Sequence, residues 1–313
     1  MQDTPSTGSV PAAEALDLTV RYAALRALDG VRCALRSGAV TGLLGPNGAG
    51  KSTLIKSFLG FLSPAAGRCR VLGADPRGDP LAVRRRLGYM PEHDAAFPGR
   101  TGLEAVVLAG RLAGMPREAA FSRAYEVLDY LGMDEVRHRP LAGYSVGQRQ
   151  KVKLGQAVVH GPRLLFLDEP LSGLDPASRD EMLALLAGIA ASGVAMVISS
   201  HVLRDLESLC GDVLVLDRGR VLYQGSMEGL RRRDEGRYRL RIKGDAAAFA
   251  RALEALGGRA AAAPPFLDLH LAPPLDTAAI WSAARETGCQ VRELRVATDS
   301  LEEAFLRLLG REG

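Results

Sequence analysis

The chain has 313 residues, of which 47% are hydrophobic and 24% charged, and a formal net charge of +4. Such a balance describes an ordinary soluble globular protein, with enough apolar surface for a sizeable core and enough length for two domains. Its four cysteines, Cys33, Cys69, Cys210 and Cys289, lie far apart with no Cys-x-x-Cys spacing, which excludes a cysteine metal cluster and suits reduced, packed thiols in a cytosolic protein.

Residues 1–13 lack the basic start and apolar core of a secretion signal and are expected to form a disordered tail. The apolar run Val40–Leu44 reads as a strand, and LIKSFLGFL after Thr53 reads as a helix. Between them Gly45, Pro46, Asn47, Gly48, Ala49, Gly50, Lys51, Ser52 and Thr53 spell GPNGAGKST. Gly-x-x-x-x-Gly-Lys-Ser is the phosphate-binding P-loop: glycines let backbone N–H groups wrap phosphates, and the helix N-terminus adds positive potential. Lys51 would reach the β- and γ-phosphates of a nucleotide, and the Ser52 hydroxyl would bind Mg²⁺. The lysine is informative in itself, because lysine occurs only at 51, 56, 151, 153 and 243. A glycine turn that merely caps a helix is the bland alternative, and the strand before with the helix after argues against it.

Farther on, Tyr144–Lys151 reads YSVGQRQK and opens a helix expected from about Val146 to Val159. Ser145 fits the N-cap of that helix. A serine hydroxyl, a glycine N–H at Gly147 and a helix N-terminus also make a compact phosphate donor set. Facing solvent, that set would be incomplete, so a second molecule must supply the rest.

Leu164–Glu169, LLFLDE, is a core strand ending in two carboxylates. Asp168 would hold Mg²⁺ and Glu169 would polarise the water that attacks the γ-phosphate. Met182–Ser200 carries no charge over nearly the length of a membrane span. The Ala-Ser-Gly interruption at 191–193 and the β-branched residues after it favour a buried helix, a turn and a strand. Val194–Ile198 and Val213–Leu216 are further strand-like runs. Continuous rather than alternating apolar runs imply strands covered on both faces, hence an α/β fold with a parallel sheet.

Residues 229–235 are polar and basic and read as a linker. Residues 236–313 alternate as βαββαβ, a small α+β (ferredoxin-like) domain, followed by an amphipathic helix that SLEEAFLRLLG opens with a Ser-x-x-Glu capping box. This segment has no phosphate loop, no strand ending in paired acids and no metal-ligand spacing.

The P-loop and LLFLDE alone fit any P-loop nucleotidase. Together with YSVGQRQK, SGLD and the SSH at Ser199–His201, in this order and spacing, they resemble the ATP-binding subunit of an ABC transporter over residues 14–228. The resemblance implies a core parallel sheet with a helical subdomain, and ATP and Mg²⁺ as ligands. It implies that Ser145, Gly147 and Gln148 close over the γ-phosphate held by a partner subunit, in a homodimer or a paralogous heterodimer. Tyr22 would stack on adenine, Asp175 would cross the dimer interface, and His201 would be the switch histidine. Glu92, in YMPE, stands where many relatives carry a glutamine that touches Mg²⁺ and the membrane subunit. Three positions depart from the usual pattern besides Glu92: Tyr144 replaces a leucine, Val146 a glycine and Leu171 a threonine.

The subgroup most resembled is the type-2 exporters, through YxPE and the ending LEEAFLRL at Leu301–Leu308. It implies an ATPase at the cytoplasmic face of the cell membrane that drives a separate integral membrane permease, with no nucleic acid partner. The competing reading is a soluble ABC ATPase that remodels a protein or nucleic-acid complex. One P-loop, and only about 95 residues from it to Ser145, speak against the tandem and coiled-coil forms of such proteins.

Overall fold

The computed structural model describes residues 10–23, 25–93, 99–230, 233–298 and 301–310. The chain divides into two units, Met1–Glu228 and Gly229–Gly313.

The first unit opens with β1 (Ala13–Tyr22), β2 (Leu25–Leu35) and β3 (Val40–Leu44), then α1 (Lys51–Phe58), β4 (Ala66–Val71), α2 (Pro80–Arg84) and β5 (Leu87–Met90). Helices α3 (Gly102–Leu112), α4 (Arg117–Tyr130) and α5 (Val146–Val158) follow. The unit then runs through β6 (Leu164–Asp168), α6 (Pro176–Ala191), β7 (Ala195–Ser200), α7 (Leu203–Glu207), β8 (Asp212–Asp217) and β9 (Arg220–Ser226). Short α8 (Met227–Leu230) spans the division between the units.

Among the described residues a six-stranded sheet has the order β5-β6-β7-β3-β8-β9. It is parallel from β5 to β8, and β9 returns antiparallel. All five residues of β6 and all six of β7 are buried, as continuous apolar runs require of strands covered on both faces. The rings of Phe58 on α1 and Phe166 on β6 stack 5.7 Å apart, tying the P-loop helix to the central sheet. A second, antiparallel sheet, β2-β1-β4, shares this core through Leu18, Leu28 and Val71. Sequence patterning did not separate that sheet from the parallel one. Nor did it anticipate β9, whose burial merely alternates between half-buried and exposed.

Helix starts follow capping chemistry. Thr101 and Glu104 form a capping box at α3, Ser145 and Gln148 another at α5, and Asp175 caps α6 with Pro176 in its first turn. The uncharged stretch ending at Ser200 divides into the end of α6, a turn through Ser192 and Gly193, and β7. Among the described residues no helix is long and apolar enough to cross a membrane.

The second unit contains β10 (Arg233–Lys243), α9 (Ala246–Ala255), β11 (Arg259–Ala263), β12 (Phe266–His270), α10 (Ala278–Thr287), β13 (Gln290–Thr298) and α11 (Leu301–Leu308). Its four strands pair antiparallel in the order β11-β12-β10-β13. Phe249 and Leu253 of α9 and Ile280 and Ala283 of α10 share one core with Leu240, Leu267 and Leu269 of the sheet.

Two expected boundaries shift. Residues 233–235 of the expected linker belong to β10, because Arg233 pairs with Thr298 of β13 and the ladder carries the strand back toward α8. Ala13 pairs with Leu35 and Val71, and the Ala12 N–H donates to Leu35 O at 2.8 Å, so the end of the expected tail is sheet. Residues 1–9 of that tail, and Ser300 of the expected capping box at α11, lie outside the described residues.

Candidate functional site

Parallel pairing puts the C-terminal ends of β3, β6 and β7 side by side: Leu44 pairs with Ser200, and Asp168 with Ser199. The loops that leave these strands therefore meet at one edge of the sheet, where ligands of open α/β sheets bind. The loop after β3 is Gly45–Gly50. A Cβ on Gly45 would lie 2.3 Å from Leu216 O, and Gly50 has φ +108° with Ala27 O at 2.7 Å from its Cβ position, so neither tolerates a side chain. No side chain caps α1, which leaves its first N–H groups as donors facing the loop. Lys51, the first residue of α1, is buried, and its Nζ donates to Gly45 O at 2.7 Å and Pro46 O at 3.4 Å. Burial pulls its pKa below the usual lysine value, and the nearby carboxylates of Glu169, Asp168 and Glu92 oppose that shift.

The acids after β6 are held by β7. Ser199 is fully buried; its Oγ donates to Asp168 Oδ1 at 2.5 Å and accepts the Glu169 N–H at 3.0 Å. Glu169 has φ +50°, a left-handed conformation that is costly for a residue with a Cβ, on the order of 1–3 kcal/mol. Its carboxyl lies 4.0 Å from Lys51 Nζ through Oε1 and accepts a 2.9 Å hydrogen bond from His201 Nδ1 through Oε2. His201 is about half exposed, 53%, whereas Glu169 is buried. The pair thus joins a buried acid to a solvent-facing imidazole.

These groups line a cleft of about 660 Å³ that contains Pro46–Thr53, Asp168, Glu169, His201, Glu92 and Tyr22. Tyr22 ends β1, lines the cleft and is 44% exposed. The Glu92 backbone is fixed by Lys153 of α5, whose Nζ donates to Glu92 O at 2.9 Å.

Ser145, Gly147 and Gln148 do not line that cleft. They border a separate depression of about 480 Å³, with Lys151, Ser178 and Glu181. In the capping box the Gln148 N–H donates to Ser145 Oγ at 3.2 Å, and the Ser145 N–H donates to Gln148 Oε1 at 3.0 Å. Asp175 caps α6 beside them; it accepts the Ser178 N–H at 3.0 Å and the Ser178 hydroxyl at 2.7 Å, and these bonds hold its pKa below the usual carboxylate value. A Cβ on Gly147 would sit 3.0 Å from Ser178 Oγ, so this position brings α5 close against the first turn of α6.

The ABC transporter family model matches residues 28–172, from β2 to just beyond Glu169. The chain is 33% identical over 312 residues to the daunorubicin/doxorubicin resistance ATP-binding protein DrrA of Streptomyces peucetius, covering 97% of this chain and 94% of that one. The chain belongs to the ABC transporter ATP-binding proteins. It is also 31% identical over 311 residues to the Nod factor export ATP-binding protein I of Ralstonia nicotianae, covering 98% and 97% of the two chains. A solved ATP-binding subunit of an ABC transporter superposes with a TM-score of 0.64 at 30% identity, covering 70% of this chain and 91% of that one.

Within this ABC ATPase, the departures at Tyr144 and Leu171 have packing explanations. Tyr144 is buried and its hydroxyl donates to Val136 O at 2.5 Å, with Gly102 leaving room for the ring. Leu171 is likewise buried, whereas Val146 is exposed. Three contributors escaped sequence reading. Ser199 could have been found from its chemistry, since a serine inside a buried strand needs a partner. Arg26 and Arg218 line the cleft. Arg218 does so only because the β8–β9 turn reaches the P-loop, where the Gly219 N–H donates to Ala49 O at 2.9 Å.

Proposed function

We propose that this chain hydrolyses ATP at composite sites formed when two ATPase chains close on each other. Each site takes the P-loop, Asp168, Glu169 and His201 from one chain and Ser145, Gly147 and Gln148 from the other. The observation that carries this is the separation of the two sets of residues into different depressions. Ser145 Oγ already accepts the Gln148 N–H, so its hydroxyl proton is the donor it can offer a phosphate. Asp175, at the start of α6 beside that depression, would face the opposite P-loop.

Within one chain, Lys51 and the backbone N–H groups of the Gly45–Thr53 loop, Pro46 excepted, bind the β- and γ-phosphates, and Tyr22 stacks on the adenine. Glu169 takes the proton of the attacking water as the oxygen approaches the γ-phosphorus, and His201, bonded to its Oε2, orients the carboxyl. Ser52, Asp168 and Glu92 would hold Mg²⁺, which supplies charge neutralisation on the phosphates. The residues fit that ion: Ser52, Glu92 and Asp168 are hard oxygen donors that line one cleft. Nucleotide oxygens would complete the shell, as is usual for Mg²⁺.

Closure drives a separate integral membrane permease from the cytoplasmic face. Export is the favoured direction, because the relatives named above are a drug resistance protein and a Nod factor export protein. The test is Glu169→Gln in the full chain. Hydrolysis falls by roughly 10² to 10⁴ while ATP still binds. Undiminished turnover would overturn the assignment of the base.

A further inference from the structure

We propose that the open face of the second unit's sheet binds anionic phospholipid headgroups. One face of this sheet is covered by α9 and α10. Along β10 the buried or half-buried Tyr238, Leu240 and Ile242 alternate with exposed Arg237, Arg239, Arg241 and Lys243, so the four cations share the other face. Pairing extends the pattern across the sheet. Arg237 and Arg259 flank His270 of β12 in one row. Arg239 stands directly between Asp268 of β12 and Arg295 of β13 in the next. Glu293 of β13 opposes Arg241.

Cross-strand ion pairs account for part of this charge. Arg239 meets Asp268 at 3.2 Å and Arg241 meets Glu293 at 3.1 Å, with Arg295 on the same Glu293. Lys243 and Arg259 have no ion pair among the described residues. Among the described residues this face carries six cations against two carboxylates. Arg239 and Arg295 are direct cross-strand partners, an arrangement that destabilises a sheet standing alone. The ion pairs to Asp268 and Glu293 offset that repulsion within the fold, and a polyanion would offset it further. Guanidinium groups match phosphate oxygens with paired donors, and the face spans roughly 20 Å by 14 Å, enough for several headgroups. The occupant follows from charge complementarity and from the family: an ABC transporter ATP-binding protein works beside a bilayer. The inference rests on that membership and not on the composite ATP site.

The experiment is co-sedimentation of the purified full chain with phosphatidylcholine vesicles, with and without about 30 mol% phosphatidylglycerol, in about 0.1 M salt. Wild type sediments with the anionic vesicles and not with the neutral ones. The combined variant Arg237→Gln, Lys243→Gln, Arg259→Gln, Arg295→Gln loses roughly five-fold per cation, on the order of several hundred-fold in all. A charge-matched control, Arg68→Gln, Arg70→Gln, Arg111→Gln, Arg117→Gln, keeps its binding. Asp268→Asn, which removes an anion from the face, binds about five-fold more tightly and decides the matter if the combined variant fails to fold. Equal sedimentation with both vesicles, equal loss in the control, or no gain in Asp268→Asn would each overturn the proposal. Tighter binding to an oligonucleotide than to anionic vesicles at equal phosphate would assign the face to nucleic acid and overturn it too.

Discussion

The Ser199 hydroxyl donates to Asp168 Oδ1 at 2.5 Å, and its oxygen also receives the Glu169 N–H at 3.0 Å. One buried side chain on β7 therefore sets both acids at the end of β6, the first through its carboxyl and the second through a left-handed backbone. Ser199→Ala would leave Asp168 Oδ1 without this partner and Glu169 N–H with only Ser199 O, at 3.2 Å. We expect a stability loss of about 1–3 kcal/mol. Steady-state ATPase kinetics should show kcat reduced by roughly ten-fold or more with KM for ATP nearly unchanged, the pattern of an interaction that matters in the transition state. Wild-type kcat in this variant would remove Ser199 from the catalytic arrangement.

Lys51 is buried, and burial lowers its pKa, so the unliganded fold bears a desolvation cost for its charge. Lys51→Met should leave the melting temperature of the unliganded protein unchanged or a few degrees higher, since an isosteric apolar side chain needs no hydration. Added Mg-ATP should no longer raise that temperature, and turnover should vanish. Thermal melts with and without nucleotide check both halves, and persisting ATP stabilisation would count against Lys51 as the phosphate ligand.

For the composite site, the Glu169→Gln chain should elute as a dimer with Mg-ATP and as a monomer without it, because ligand held only by the dimer stabilises it by mass action. Adding Ser145→Arg should abolish the dimer by placing a large side chain where the partner's γ-phosphate belongs. Ser145→Ala separates the capping role: it should cost about 1 kcal/mol of stability and weaken the dimer less than the arginine does. Size-exclusion chromatography reads all three. An ATP-dependent dimer that survives Ser145→Arg is incompatible with the trans role.

The cysteines supply a pH test. Burial pushes the thiols of Cys33 and Cys210 up to about 12 and that of Cys69 up to about 11. Because the folded values exceed the ordinary 9.0, the folded state keeps protons that the unfolded state gives up. Their contribution to stability is whole below pH 9 and declines as pH rises from there toward 12. At pH 8, alkylation of these three thiols should follow global unfolding, and mass spectrometry of labelled peptides across a denaturant series checks this. Rapid labelling of Cys33 in the native protein would contradict its burial.

Sequence alone was sufficient for what is local. Gly45–Thr53 could be read as a phosphate loop because its chemistry depends on consecutive backbone N–H groups, and adjacent residues bring their own geometry with them. Ser145 was legible as the cap of α5 for the same reason, since a cap acts within one helical turn; its reciprocal bond with Gln148 and the Asp175 cap of α6 were shown by the structure. The α/β class followed from continuous apolar strands such as Leu164–Leu167. Strand order was decided only in three dimensions. The sheet places β7 between β6 and β3, and that neighbourhood alone brings Ser199 to Asp168, His201 to Glu169, and Lys51 within reach of Glu169. Likewise β8 beside β3 carries Arg218 to the cleft, and β10 at the centre of its sheet lines up Arg239 with Arg295. Such contacts span tens of residues or more along the chain, and no local preference encodes them. They arise because burying the apolar faces of strands against their cover admits a particular lateral order, which then fixes which side chains meet at the ends and on the faces.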